Sequence, residues 1–372
     1  MTSRRRLLAF GTAIAVAASL GVPLSAAADP PVPEYPPFVG VGSPTTSDLW
    51  NLLAHGKKGL AMAEGAGSVS YDATGSATIL TRRGGTPIPR PATTGAGIDA
   101  LFAYPDDVDF ARSSTRPVND AGMYFDTITY LPIARDAVSI VGFRLDSDLI
   151  DFSRQELTAL YSCSSAGRIV ASGTGAAAVT RYVSPAAPGR GAVDQVLSPI
   201  LPTGSGDVRA FFLRAIGLSA PGPCVGGSAG TPENDGRVVD QAGEVVPFLV
   251  SSWIAQLNGM ALVGRTVTPY DHSITGINGA RPVADGNDAM LPPVMAGPIF
   301  GRGAYPPGMQ QGVFSRDVYI VVRTADLAED IAENLTAGIR TRTSRMFINR
   351  AGFKNIDYIG KPRWFIGAAW PE

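Results

Sequence analysis

Histidine and cysteine are nearly missing from this chain, with two of each in 372 residues. His55 and His272 stand far apart, and no G-x-S-x-G, H-E-x-x-H or G-x-x-x-x-G-K-[ST] motif occurs. The common nucleophile, zinc-hydrolase and phosphate-loop chemistries therefore have no foothold, and the chain does not read as an enzyme. His55, in HGKKGL, reads as a solvent-facing residue at a helix end, and His272, in YDHS, as a local partner of Asp271. Zinc needs more nitrogen and sulfur ligands than the chain offers nearby. Charge is scarce too: 17% of residues are charged and the formal net charge is −1, which gives no electrostatic footprint for nucleic acid. Asp106, Asp107 and Asp109 lack the alternating spacing of a calcium loop and read as a solvated acidic loop, and Lys57 and Lys58 read as surface charge. Beyond the N-terminal region no apolar run is long enough to span a bilayer.

What is present is 45% hydrophobic residues, 43 glycines and 30 prolines, the composition of a loop-rich exported globular protein with a large core. Residues 1–28 read as a signal peptide. Arg4, Arg5 and Arg6 precede an apolar run that closes on a small-residue site at Ala26, Ala27 and Ala28, so cleavage is expected before Asp29. Ser3-Arg4-Arg5 permits a twin-arginine route as well as the general one. No cysteine stands at the cleavage site, so no lipid anchor is expected. Residues 29–37 form a proline-rich linker. In an exported chain an even pair of cysteines reads as one disulfide, Cys163 to Cys224.

The order of elements points to α/β architecture. FVGVGS reads as a buried strand running into a turn, and TTSDLWNLLA as a helix with Asp48 in its first turn and Leu49, Leu52 and Leu53 on its apolar face. ATTGAGIDALFAY (92–104) repeats the hydroxyl-turn-to-helix order, and so does LPTGSGDVRAFFLRAIG (201–217). VDFARSST (108–115) is a short strand ending in hydroxyls and Arg112. DAVSIVGF (136–143) and RDVYIVVR (316–323) read as core strands, and FSRQELTALYSC opens on a capping box from Ser153 to Glu156. VVPFLVSSWIAQLNG (245–259) and ADLAEDIAENLTAGI (325–339) read as helical.

A helix N-terminus offers unpaired N–H groups and partial positive charge, and serine and threonine add donors without a full charge in a dry site. One such turn is an ordinary cap. Three Gly/Ser/Thr-rich turns and a hydroxyl-flanked arginine together suggest an anion held by backbone amides and hydroxyls.

GVGSPTTSDLW, SYDATGS, GAGIDAL, DFARSS, LYSC, LPTGSGDVRAFFL, ENDGR and VPFLVSSWIAQ follow one another in an order that resembles the phosphate-binding periplasmic-type substrate-binding proteins, in the secreted form seen in actinobacteria. The resemblance covers roughly residues 38–360. It implies a bilobed type 2 periplasmic-binding-protein fold, with two mixed-sheet α/β lobes joined by a hinge of crossing strands. Residues 38–132 with 291–372 would form the first lobe, and 133–290 the second. It implies an oxyanion, phosphate foremost, held between the lobes for uptake, an ABC permease as partner, a monomeric receptor and no cofactor. The alternative is a secreted structural or surface-interaction protein that keeps the fold without high-affinity anion binding.

Carried over by motif, Ser43, Thr45 and Thr46 stand at the first anion loop, and Thr94 and Gly95 at the turn opening the second helix. Arg112, Ser113 and Ser114 stand at the strand-end hydroxyl and acid, and Ser205, Gly206 and Asp207 at the Ser-Gly-Thr turn of the other lobe. Three positions depart from the best-known phosphate binders: Ser114 replaces an aspartate that accepts the ligand's proton, Leu201 replaces an arginine, and Asp207 replaces a threonine. Asp207 has two readings, a cleft residue paired with Arg112 or Arg209, or a helix N-cap facing away from the cleft.

Overall fold

The computed structural model describes residues 29, 38–55, 68–115, 127–146, 151–189, 191–202, 206–227, 233, 235–260, 271–284, 293–301, 312–329 and 331–361. The leader, most of the proline-rich linker, Lys57, Lys58, the His55 side chain and Ser205 lie outside the described residues.

The chain opens with strand β1 (Phe38–Gly42), a 3-10 turn at Pro44–Thr46 and helix α1 (Ser47–His55), then β2 (Ser68–Ser70) and a short hairpin of β3 (Thr78–Ile79) and β4 (Ile88–Pro89). Helix α2 (Thr94–Ala103) leads to β5 (Phe110–Ser113) and to the long strand β6 (Ile128–Phe143). There follow β7 (Asp151–Phe152), α3 (Arg154–Ser162), β8 (Ile169–Ser172), β9 (Val179–Ser184), β10 (Val193–Pro199), α4 (Asp207–Ala215), β11 (Glu244–Leu249) and α5 (Val250–Leu257). The chain closes with β12 (His272–Ile274), β13 (Gly276–Ile277), β14 (Ser315–Arg323), α6 (Ile331–Arg340) and α7 (Arg342–Arg350).

Most strands lie in one mixed sheet in the order β2-β1-β5-β14-β6-β11-β10-β9-β8, with β12 also on β6. β6 joins its two halves. Residues 128–137 pair antiparallel with β14, whereas 138–142 pair with β11. Three apolar clusters flank it. One gathers the far end of β6, α3, β8 to β11, α4 and the start of α5, with Val294, Ile299, Phe300 and Phe314. The second holds α1, the near end of β6, β14, α6 and α7, and the third packs β1, β2, α2 and β5. Side chains such as Trp50, which meets Phe110 with ring centroids 4.6 Å apart, contribute ~1.5–3 kcal/mol each by leaving water.

β6 passes from one cluster to the other at Arg135 and Asp136: Leu131, Ile133 and Ala134 belong to the second cluster, and Ala137, Val138, Ile140 and Val141 to the first. β14 carries the same dipeptide, Arg316-Asp317, at the same level. The antiparallel register sets Arg135 opposite Asp317 and Asp136 opposite Arg316. Both crossing strands thus place an arginine and an aspartate in otherwise apolar runs, between the two cores. Arg135 donates to Asp317 at 2.8 Å and to the Tyr358 hydroxyl at 2.6 Å, and that hydroxyl donates to Asp317 at 2.8 Å. Every group of this buried pair is therefore satisfied, the condition for tolerating it.

The capping box is formed: Ser153 accepts from the Glu156 amide at 3.1 Å while Glu156 accepts from the Ser153 amide at 2.8 Å. Arg168 also donates to Glu156 at 2.6 Å. Cys163 closes α3 in the left-handed region and is bonded to Cys224. The helix expected over 245–259 is instead strand β11 followed by α5. VVPFL is buried throughout as a strand, and Pro247 faces β6 only, because β10 pairs no further than Pro199 with Val245. His272 does not turn to Asp271: its Nε2 lies 2.9 Å from the Val239 carbonyl, and Asp271 accepts from Arg144. The acidic loop is more tied down than a solvated one, since Asp109 accepts from the Val39 amide and from Arg82, both at 2.7 Å, and Asp107 from Thr81. Among the described residues no helix is long and apolar enough to cross a membrane, and no cluster of metal-ligating side chains occurs.

Candidate oxyanion site

The first turn after β1 is built by two glycines. Gly42 has φ +115°, and a Cβ there would lie 2.7 Å from the Arg112 carbonyl oxygen. A Cβ on Gly97 would lie 2.7 Å from the Gly42 Cα, so α2 packs directly on the strand end. Ser43 then begins the 3-10 turn, accepting from the Thr45 amide at 3.4 Å. Thr93 caps α2, accepting from the Ala96 amide at 3.1 Å, which sets Thr94 in the first helical turn. Ser114 directly follows β5. Three hydroxyls from three chain segments thereby reach one point.

What sits at that point is the carboxylate of Asp207. Its Oδ2 accepts from Thr94 Oγ1 at 2.7 Å, Ser114 Oγ at 2.8 Å and Ser43 Oγ at 2.9 Å. Ser43 Oγ also lies 2.9 Å from Thr45 Oγ1 and 3.3 Å from Ser114 Oγ. Asp207 is the first residue of α4, which packs in a different apolar cluster from α2, and its N-cap Gly206 supplies no side chain. The carboxylate therefore lies near the N-terminal ends of both α2 and α4, where negative charge is stabilised. Bonds of this kind, from a neutral donor to a charged oxygen, contribute ~1.5–3 kcal/mol each. Ser43 and Ser114 are fully buried, and Thr94 is buried.

The remaining expected residues divide. Thr46 donates to the Ser43 carbonyl at 3.5 Å and Ser113 to the Thr115 carbonyl at 3.0 Å, so neither hydroxyl is turned to Asp207. Gly95 is exposed in the first turn of α2. Asp207 faces the hydroxyls, as the first reading has it, but pairs with neither arginine: Arg209 donates to the Pro202 carbonyl, and Arg112 turns inward.

Arg112 is a strut beneath the turn. Its Nε donates to the Ser43 carbonyl, its Nη1 to the Tyr71 carbonyl and the Ser70 hydroxyl, and its Nη2 to the Gly42 carbonyl and the Ser47 hydroxyl. All five donors of the guanidinium are used. Burial pulls Arg112 down to about 10, opposed by Asp72. Burial pushes Asp72 up to about 6, opposed by Arg112 and by a hydrogen bond from Asn51.

The cation that does stand beside Asp207 is Arg316, which sequence reasoning passed over. Its Nη1 donates to the Asp207 backbone carbonyl at 3.1 Å, and its guanidinium lies 4.8 Å from the centre of the Phe211 ring. Burial lowers its pKa, and Asp207, Asp136 and Glu233 oppose that in this order. Among the described residues nothing accepts from its Nε or Nη2, and nothing donates to one oxygen each of Asp136 and Glu233. Burial pushes Asp136 up to about 6. Burial also raises Glu233, whose other oxygen accepts from the Val208 amide at 2.7 Å and so caps α4. Gly206 makes room for that cap, since a Cβ there would lie 1.9 Å from Glu233 Oε1. The sequence signal that could have found Arg316 is the Arg-Asp pair repeated in two strands that otherwise read as core.

Two solved structures share this architecture over nearly their whole length. An ABC-type phosphate transport receptor from Vibrio cholerae matches with a TM-score of 0.50 at 13% identity, covering 85% of this chain and 99% of its own. A putative phosphate ABC transporter substrate-binding protein with bound phosphate, from Clostridium perfringens, matches with a TM-score of 0.51 at 10% identity, covering 86% and 99%. The chain therefore shares the periplasmic-binding-protein fold of these two structures. No protein-family model matches the chain, and no curated protein matches it. The point where Asp207 meets Ser43, Thr94 and Ser114 joins α4, from one core, to α2 and the ends of β1 and β5, from another.

Proposed function

We propose that the protein is a secreted solute-binding protein, not an enzyme, that holds an inorganic oxyanion, phosphate foremost, between two lobes for uptake through an ABC permease. The observation that carries this reading is the convergence of Thr94, Ser114 and Ser43 hydroxyls on a single anionic oxygen. Neutral donors from three segments, beside the N-terminus of α2, are the chemistry that holds an oxyanion in a dry site. The likeness to receptors whose descriptions name phosphate supports the choice of anion.

The same proposal includes export by the 1–28 leader and a monomeric receptor. Asp29, first after the proposed cleavage, accepts from Arg90 at 2.6 and 2.7 Å and so docks on the folded body. It also includes a first lobe of 38–132 with 291–372 and a second of 133–290. The cluster change within β6 supports the first boundary, and Phe300 and Phe314, packed in the second lobe's core, would move the return boundary towards the start of β14.

Titration calorimetry of the intact protein with phosphate, arsenate and sulfate, carried to millimolar anion, tests the reading. Heat and a thermal shift with phosphate are expected, and no response to any of the three would overturn it. The second reading, a secreted structural or surface protein that keeps the fold without anion binding, is favoured by one observation: both anion positions are filled by the chain's own carboxylates, Asp207 in the hydroxyl cradle and Glu233 at the N-terminus of α4.

A further inference from the structure

We propose that Asp207 is a tethered competitor for the oxyanion site, a latch that closes the cleft on its own carboxylate and must be displaced before an external anion can enter. This rests on the reading of the cleft as an oxyanion site. The carboxylate uses the very donors that an incoming anion would need, with one oxygen taking all three hydroxyls. These hydroxyls stand just after β1, in the first turn of α2 and just after β5, while Asp207 opens α4, which packs in the other core. The same three bonds therefore hold the two sides of the cleft together. They replace the ligand's bridging role by an internal group.

An independent observation points to a second position for this carboxylate. Arg316 is buried behind the first turn of α4, fixed by Nη1 to the carbonyl of Asp207, yet its Nε and Nη2 find no acceptor among the described residues. Buried donors of a charged group left unmade are costly, so this arrangement is one in which Arg316 gains a partner if Asp207 leaves the hydroxyls. The carboxylate thus has two sets of partners, neutral hydroxyls across the cleft and a cation on its own side. An oxyanion that takes the hydroxyls sends Asp207 back towards Arg316. The population of open cleft, and with it the apparent affinity, is set by the balance between the two.

The test compares the intact protein with Asp207→Ala and Asp207→Asn, the second keeping the shape of the side chain. Small-angle X-ray scattering without anion reads the latch, and calorimetry with inorganic phosphate reads competition. Both variants are expected to show a larger radius of gyration without phosphate than the intact protein, a difference that phosphate removes. Asp207→Ala is expected to bind phosphate about tenfold more tightly or better, because the competent state no longer has to be released. An unchanged radius of gyration, or phosphate binding by Asp207→Ala that is equal to or weaker than that of the intact protein, would overturn the latch; the intact protein's own titration then decides the oxyanion reading separately. A larger radius with no heat from any of the three proteins would keep closure by Asp207 but overturn its competition with an anion together with the oxyanion reading.

Discussion

Arg112 illustrates how far a residue's type is from its role. At the end of a strand and followed by Ser113 and Ser114, it reads as the charge that would meet an anion. The structure turns it inward, where its five donors tie down the carbonyls of Gly42, Ser43 and Tyr71 and the hydroxyls of Ser70 and Ser47. It shapes the cradle from below and leaves the ligand's contacts to neutral groups. Arg112→Met is therefore expected to destabilise the fold by about 3 kcal/mol or more, since buried carbonyls lose their donors and Asp72 loses its cation. Urea unfolding followed by circular dichroism measures this, and a loss under about 1 kcal/mol would mean that the turn holds without its strut. Arg112→Lys should rescue little, because one ammonium cannot reproduce a planar fork of five donors. The residue types of the cradle were readable as hydroxyl donors. Whether Asp207 faced them was not, because that depends on how α4 packs across the cleft rather than on its own first turn.

At the scale of elements, the capped turns and strand ends were the readable part. α2 and α3 start where Thr93 and Ser153 announce them, since those caps satisfy local backbone groups. The run VVPFLVSSWIAQ was not readable in the same way. It is apolar on all sides, and a strand buried on both faces followed by a buried helix has no period that separates the two. The Arg-Asp pairs of β6 and β14 were hidden for the opposite reason: they interrupt apolar runs, and only the antiparallel register gives each charge its opposite. The turn after β1 makes a sharp case for local geometry. Gly42→Ala combines a positive φ with a Cβ 2.7 Å from the Arg112 carbonyl, a contact to backbone that cannot swing aside. The expected cost is about 1–3 kcal/mol. Because Ser43 is the next residue, phosphate affinity should fall together with the melting temperature. A variant that melts lower and binds unchanged would separate the turn from the cradle.

Over the whole molecule, β6 and β14 form a seam whose apolar runs serve two cores and whose charges meet between them. One charged pair, Arg135 with Asp317, is fully bonded; the other, Asp136 with Arg316, lies on the side of Asp207 and retains unpartnered atoms. Burial of carboxyls at the seam and beneath the first turn has a consequence for stability against pH. Asp72 and Asp136 are both pushed up to about 6, chiefly by burial, from an unfolded value of about 3.9. Between those values the folded state holds protons that the unfolded state has released, so stability falls as pH rises through that window and levels off above it. Glu233, also raised by burial, acts in the same direction. Glu156 acts oppositely, held down to about 2 because hydrogen bonds led by Arg168 outweigh its burial, but its stabilisation is lost only as pH falls from about 4.5 towards 2. Moving from pH 7.5 to pH 5 should therefore stabilise the protein by about 1 kcal/mol for each of Asp72 and Asp136. Asp136→Asn should remove about half of that gain. Denaturant titrations at the two pH values check it, and a protein more stable at pH 7.5 than at pH 5 would show that burial does not hold these two carboxyls protonated.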